Sequence, residues 1–170
     1  MRNKKHGFTL VEMIIYIAFF AVLSVLAIES TIIVMKSFYS IRLTQNINQS
    51  ATVGLERMSR EIRNAYDIDT TQSTFGVNPG RLTLRTKDAG GANTTIEFYV
   101  SGSQLFIKEG VVDRGSLMTK NAVLTNLVFR QIANPNSRAV KIEMAIRDTR
   151  GVLQKDVNFY DTIILRGSVN

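Results

Sequence analysis

The sequence predicts an α+β fold in which one long amino-terminal helix packs on an antiparallel β-sheet. Three patterns predict it: an uncharged apolar run near the start, an amphipathic pattern of helical period after it, and alternation of apolar and polar residues beyond. The 170 residues suit one domain, or one domain plus an anchor. Beyond residues 1–7, we expect an apolar half-helix at 8–35, an amphipathic half-helix at 36–66 and a sheet domain at 67–170.

The apolar run is long enough to cross a membrane. Residues 13–28 carry no charge, and residues 30–35 extend the apolar character. A helix from the first to the last of these would be about 34 Å long, and a bilayer core is about 30 Å thick. Arg2, Lys4 and Lys5 precede the run and favour a cytoplasmic start. The sequence therefore predicts a single-pass protein of the cytoplasmic (inner) membrane, with its carboxy-terminal domain outside the cytoplasm.

Three kinds of segment begin in this way, and Glu12 distinguishes them. A secretory signal peptide has a basic start, an apolar run and a small-residue cleavage site, for which Val25-Leu26-Ala27 would serve. A plain single-span anchor needs only the basic start and the run. The third kind is a short leader that is cut off ahead of a retained helix. A carboxylate at the edge of the run is awkward for a signal peptide and unneeded by a plain anchor, so Glu12 favours the third.

A known leader has the same order of residues as the start of this chain. The residues concerned are Lys4-Lys5-His6-Gly7, followed by Phe8-Thr9-Leu10-Val11-Glu12. This start resembles the leader of type IV prepilins and type II secretion pseudopilins. The resemblance implies that residues 1–7 are a prepilin leader, that a prepilin peptidase cuts between Gly7 and Phe8, and that Phe8 is then N-methylated. It also implies assembly into an envelope filament with other pilin or pseudopilin subunits through the amino-terminal helix, from an inner-membrane assembly platform.

The sequence is compatible with two roles for Glu12. The resemblance implies an assembly role, in which its carboxylate pairs with the Phe8 amine of a neighbouring subunit. The local alternative is a capping box, because Thr9 and Glu12 have the required spacing ahead of an apolar run. Phe8 and Met13 would then form the hydrophobic staple around that box.

The helix is expected to continue from the apolar half into an amphipathic half, from residue 9 to residue 66. Apolar residues there recur at spacings of three and four, which is one face of a helix. They are Leu43, Ile47, Ala51, Leu55, Met58, Ile62 and Ala65. The opposite face is polar and carries Arg42, Gln45, Gln49, Glu56, Arg60 and Arg63. This half is therefore predicted to pack on a domain with one face.

Beyond the helix, the period changes from that of a helix to two. Residues 67–80 are polar, with turn residues at the end, and are predicted to be the passage from helix to sheet. Strands are predicted at 81–85, 95–100, 104–108, 123–132, 139–148 and 157–166. The stretches 87–94 and 109–121 are predicted to be loops. Clean alternation indicates one buried and one wet face, hence an antiparallel sheet.

This order of elements extends the resemblance to the whole chain, as a pilin-like architecture. The end of the helix, at residues 55–65, is similar to that of J-type minor pseudopilins and W-type minor pilins. So are Phe98-Tyr99 and the strand at 105–108. A minor subunit of a secretion, motility or DNA-uptake filament is the implied role. The chain differs from many major pilins, because it lacks a carboxy-terminal cysteine pair and a proline in the apolar helix.

The residues offer little for catalysis. There is no cysteine, and the one histidine, His6, would leave with the leader. Serine–histidine, cysteine–histidine and His/Cys zinc sites are therefore excluded from the mature chain. We expect a protein that is not an enzyme and has no cofactor or metal. Acidic residues in turns leave a calcium site as an alternative, either from Asp67 with Asp69 or from Asp148 with Asp156.

A binding module is the alternative function. Arg57, Arg60 and Arg63 recur every three residues on the helix and could contact DNA or another ligand. Glu56 and Glu61 balance their charge, and no aromatic residue interleaves them as a platform for single strands. We therefore expect a solvated helix face and no nucleic-acid partner.

Overall fold

The computed structural model describes residues 7–134, 137–148 and 156–166. The chain divides into two compact units, one ending at Arg42 and the other beginning at Leu43. Helix α1 spans Leu10–Asn64, so its residues are shared between the two units. This confirms the predicted long helix, whose ends differ from the prediction by one and two residues. The strands all belong to the second unit.

The part of α1 in the second unit buries the predicted apolar face. Leu43, Ile47, Ala51, Met58 and Ile62 are buried, and so is Ala65 just beyond the helix. Leu55 is partly buried against the same core. The polar face is exposed at the six predicted positions. The helical period thus separates the buried side of α1 from the wet side.

Three small or polar residues of α1 are also buried, which the pattern did not predict. They are Ser50, Gly54 and Glu61. A Cβ atom on Gly54 would lie 3.3 Å from Cδ2 of Leu105, so glycine allows the helix to lie close to that leucine. The Ser50 hydroxyl lies 2.7 Å from the hydroxyl of Thr119. Each lies three residues after a buried apolar residue, on the same face of the helix, so the small or polar side chain and not the position kept it out of the apolar pattern.

Within the described residues, eight strands follow the helix and form two antiparallel sheets. The first sheet has the order β1 (Asp67–Ile68), β2 (Leu82–Lys87), β3 (Asn93–Ser101), β4 (Gln104–Glu109) and β5 (Val112–Ser116). The second has the order β6 (Ala122–Asn134), β7 (Ser137–Asp148) and β8 (Asp156–Ile164). Every strand pairs with its sequence neighbour within its sheet, in the antiparallel sense. The α+β, pilin-like architecture of a helix packed on antiparallel strands is therefore confirmed.

The prediction of one sheet was wrong, and two short strands were missed. Strand β1 has only two residues, too few for a periodic pattern. Strand β5 has no buried residue, so it lacks the alternation that identifies a half-buried strand. Strand β6 does not join the first sheet as a full neighbour; one backbone bond, from the Leu124 amide to the Ser103 carbonyl at 2.8 Å, links them.

The loop before β2, at residues 76–80, lies along the outer edge of β6. The Gly76 amide donates to the Phe129 carbonyl at 2.9 Å, and the Gly80 amide donates to the Leu127 carbonyl at 2.8 Å. The Asn78 side-chain oxygen accepts from the Leu127 amide at 2.9 Å. Unpaired strand edges invite association with other chains, and this loop covers one of them. A single core joins the helix and both sheets, with Met58, Ile62, Leu82, Leu84, Phe98, Leu105, Phe129, Ile142 and Ile146 among its fully buried members.

Asp69 ties the segment after the helix to strand β2. Its carboxylate accepts from the Thr71 hydroxyl at 2.6 Å and from the Thr71 amide at 3.1 Å. Arg85 donates to the other oxygen at 3.0 Å from Nη2. The Thr71 hydroxyl bond, followed by the Arg85 bond, lowers the pKa of Asp69 to about 2. These bonds lower the pKa because each is stronger to the charged carboxylate than to the neutral acid.

This carboxylate predicts a loss of stability in acid. The folded pKa of Asp69 lies below its ordinary value of 3.8, so its stabilisation is present above about pH 4 and is lost as the pH falls towards 2. We expect Asp69→Asn to lower the unfolding temperature of the full chain in detergent at pH 6, with the difference from wild type shrinking between pH 4 and pH 2. Thermal unfolding followed by circular dichroism measures both. A difference that is constant across that range would contradict the assigned ionisation.

Candidate functional site

The Gly7–Phe8 peptide bond lies ahead of the helix and is open to solvent. Both residues are exposed, and neither belongs to a helix or strand. A Cβ atom placed on Gly7 would have nothing within 4 Å. Arg2, Lys4 and Lys5, the predicted leader charges, lie outside the described residues. The bond predicted to be cut is therefore sterically accessible in this chain.

Thr9 caps the first turn of α1. Its hydroxyl oxygen accepts from the Glu12 amide at 3.3 Å, and its carbonyl accepts from the Met13 amide at 3.2 Å. This is half of the predicted capping box. Among the described residues, the Thr9 amide donates no hydrogen bond to the Glu12 carboxylate, which would be the other half of the box. The Glu12 side chain is half-buried at the start of the helix, and its carboxylate takes no part in the cap.

The Phe8 ring lies against Tyr16. Their ring centroids are 6.1 Å apart, with an interplanar angle of 74°, which is an edge-to-face contact. The staple of Phe8 with Met13 stays a prediction beside this contact. Phe8 nevertheless remains 70% exposed, so its ring is accessible to other molecules.

The helix beyond Phe8 presents an uncovered apolar surface. It includes an 18-residue window of mean hydropathy 2.5 with none of its residues buried, so α1 is long and apolar enough to cross a membrane. Phe20 and Ile33 are among its most exposed side chains. Ser24 and Thr31 donate their hydroxyl protons to the carbonyls of Phe20 and Ala27, at 2.8 Å each. These hydroxyls are satisfied within the helix, as apolar surroundings require.

Arg57 is separated from the other arginines of the predicted basic row. Its Nε lies 3.0 Å from Glu61, and its Nη2 lies 2.6 Å from Glu109 of strand β4. Glu61 belongs to the same helix, so the pair with Glu109 is the one that connects α1 to the first sheet. A guanidinium used in this way is not free for phosphate. The structure therefore does not favour the DNA-binding alternative built on Arg57, Arg60 and Arg63.

The acidic pairs that could have held calcium face arginine or asparagine side chains instead. Asp67 and Asp69 share Arg85, at 3.9 and 3.0 Å, and Asp67 also pairs with Arg138. Asp148 accepts from Asn46 at 3.2 Å, and Asp156 pairs with Arg147 at 2.6 Å. Within the described ranges, no three metal-binding side chains come together.

Residues 2–28 match the family described as the prokaryotic N-terminal methylation motif. The matched range includes the basic start, the Gly7–Phe8 bond, Glu12 and most of the apolar run. No curated protein and no solved structure matches the chain. The motif and the exposed apolar helix together indicate a membrane-anchored subunit of the pilin type, and the match does not extend to the sheets.

Proposed function

We propose that this chain is a structural subunit of a type IV pilus or type II secretion-like filament, made as a precursor and processed at its amino terminus. The observation that carries the proposal is the position of the methylation motif, which covers residues 2–28 and leads directly into a helix with an uncovered apolar surface. Such a surface needs lipid before assembly and neighbouring helices after it. A filament subunit requires both environments in turn.

The proposal assigns a role to each segment. Residues 1–7 are the leader, with its charge on Arg2, Lys4 and Lys5, and are removed by prepilin peptidase. Phe8 becomes the methylated amino terminus. Residues 8–35 hold the protein in the inner membrane and later contact other subunits, and residues 36–66 carry the helix onto the sheet domain at 67–170. With positive charge at the start, the sheet domain lies outside the cytoplasm.

The proposed role is that of a minor subunit, released from an inner-membrane assembly platform with other pilins. Its support is the similarity of residues 55–65, Phe98-Tyr99 and 105–108 to J-type and W-type minor subunits. The chemistry of the described residues agrees with a structural role. Several ion pairs among them connect one strand to another or the helix to a strand, as the pair from Arg57 to Glu109 does.

The expected mature protein begins at Phe8 and carries one added methyl group on its amine. Intact mass and amino-terminal sequencing of the protein purified from membranes test this, because cleavage removes the seven leader residues. The same cells supply sheared filaments, in which quantitative mass spectrometry is expected to find this chain well below the main subunit. Cleavage exposes the amine that methylation requires, so a strain without prepilin peptidase is the control and should yield the uncut, unmethylated chain.

Two results would contradict the proposal. An amino terminus at Ile28 would show an ordinary signal peptide, cut after Ala27. An intact Met1 in cells with active peptidase would leave only a plain anchor. If the chain is cleaved at Phe8 but proves to be the main subunit of the filament, the minor role alone is wrong.

A further inference from the structure

The arginines of the second unit differ in whether they have an acidic partner. Seven of them form an ion pair with an aspartate or glutamate: Arg57, Arg81, Arg85, Arg114, Arg130, Arg138 and Arg147. Arg60, Arg63 and Arg166 form no ion pair with any described residue. These three are also exposed. Of the ten arginines of this unit that the structure describes, seven therefore have a carboxylate partner and three have none.

The three arginines without an acidic partner converge on one pocket. It has a volume of about 470 Å³. One side of it is the end of α1, and the other side is strand β8 together with Arg166, which lies just beyond that strand. Arg60 and Arg63 come from successive turns of the helix. Ser59 and Asn64 add polar groups to the wall, and Leu55 adds an apolar contact. Folding therefore brings Arg166, which is distant from α1 in sequence, into one pocket with Arg60 and Arg63.

The chemistry of the wall selects an anionic occupant. Each guanidinium presents five N–H donors and no acceptor, in a fork that fits a carboxylate with two parallel bonds. Glu56 and Asp161 also line the pocket, so its formal charge is three minus two, or +1. They form no ion pair with the three arginines, and Asp161 instead accepts from the Thr162 amide at 2.8 Å. The donors of all three guanidiniums therefore remain available.

The same wall disfavours nucleic acid. No aromatic residue lines the pocket, so bases have nothing to stack on. The two wall carboxylates repel the charged backbone of a nucleic acid, whereas the flexible side chains of an acidic peptide can direct their carboxylates away from them. The cations are grouped in one depression and do not form the long track that a phosphate backbone follows. A protein segment with acidic side chains fits the charge pattern better than a polyanion does.

We propose that the pocket formed by Arg60, Arg63 and Arg166 binds a glutamate- or aspartate-bearing segment of a partner protein. This goes beyond assembly through the amino-terminal helix, because it gives the carboxy-terminal domain a contact of its own. It does not depend on leader cleavage or filament entry. Its failure and that of the proposed function are therefore measured separately.

The test is binding of a fluorescent oligoglutamate peptide to the full-length chain in neutral detergent, followed by anisotropy at low ionic strength. Arg60→Gln and Arg63→Gln should each weaken binding roughly three- to fivefold, and the double variant about tenfold or more, as expected for exposed ion pairs. Arg63→Lys should recover only part of the loss, because lysine keeps the charge without the fork. Physiological salt should weaken the wild-type complex.

Arg130→Gln is the matched control. It removes one exposed arginine that is paired with Glu143 at 3.0 Å on the second sheet, and it should change binding less than twofold. Equal losses in Arg130→Gln and Arg63→Gln would show diffuse attraction and overturn the pocket, as would unchanged binding in the double variant. Tighter, equally arginine-dependent binding of an oligothymidine strand would make the partner a nucleic acid. Inorganic phosphate competing as well as the peptide would reduce the pocket to a small-anion site.

Discussion

Glu12→Gln is expected to give a protein that is cleaved, stays in the membrane and enters filaments at about a tenth of the wild-type level or less. The substitution preserves the shape and the capping ability of the side chain, because glutamine also serves at this position of a capping box. It removes only the charge. A defect confined to assembly would therefore assign that charge to a contact between subunits.

The structure weakens the purely local account of Glu12. Thr9 caps the helix through its own hydroxyl, and the Glu12 carboxylate does not complete the box. What remains locally is the favourable interaction with the helix dipole, about 0.3–1 kcal/mol. In a filament, by contrast, the segment is enclosed by the apolar helices of neighbouring subunits, and breaking a buried ion pair costs about 3–5 kcal/mol.

A partner for that charge is created by cleavage. The freed α-amine of Phe8 has an ordinary pKa near 7.7–8, so it is cationic at neutral pH. We propose that it pairs with the Glu12 carboxylate of an adjacent subunit. Phe8 is exposed and Glu12 is half-buried in the single chain, so a neighbour can approach both positions without local unfolding.

The measurement compares the amount of the variant in sheared filaments with the amount in membranes, by quantitative immunoblotting. Glu29→Gln is the matched control, because it makes the same change in the same helix, at an exposed position far from the amine. It should assemble normally. If Glu12→Gln also assembles at the wild-type level, Glu12 acts only on its own helix.

The helix could be predicted closely because its signal is local and long. Apolar residues at spacings of three and four run through its second half, and the uncharged run defines the first. The strands with one buried face were predicted for the same reason. Alternation, however, reports which face of a strand is buried and says nothing about its neighbours. The contacts of the loop before β2 with the edge of β6, where the second sheet ends, are tertiary contacts that alternation does not report.

The basic residues show the same limit. Arg57, Arg60 and Arg63 recur every three residues, and a step of three falls about 60° short of a full turn. Over two steps the difference is about 120°, so Arg57 faces Glu109 of the first sheet while Arg63 lies on the exposed side. Arg166 joins Arg60 and Arg63 only through folding. The motif at Gly7, Phe8 and Glu12, in contrast, is contiguous and needed no fold to be found.

Phe129→Ala is expected to destabilise the protein by about 3–5 kcal/mol, the usual cost of removing a buried phenylalanine ring. Phe129 is fully buried and lies beneath the loop before β2, where a Cβ atom on Gly80 would come within 3.0 Å of its ring. The backbone bonds from Gly76 and Gly80 to β6 restrain this loop, so it fills little of the cavity that the substitution leaves. The unfolding temperature of the full chain in detergent should fall by roughly 10 °C or more.

Tyr160→Ala is the matched control. It removes an aromatic ring that is 66% exposed from the same sheet, and it should lower the unfolding temperature by only a few degrees. Equal shifts in the two variants would mean that the β6 edge is not packed under this loop.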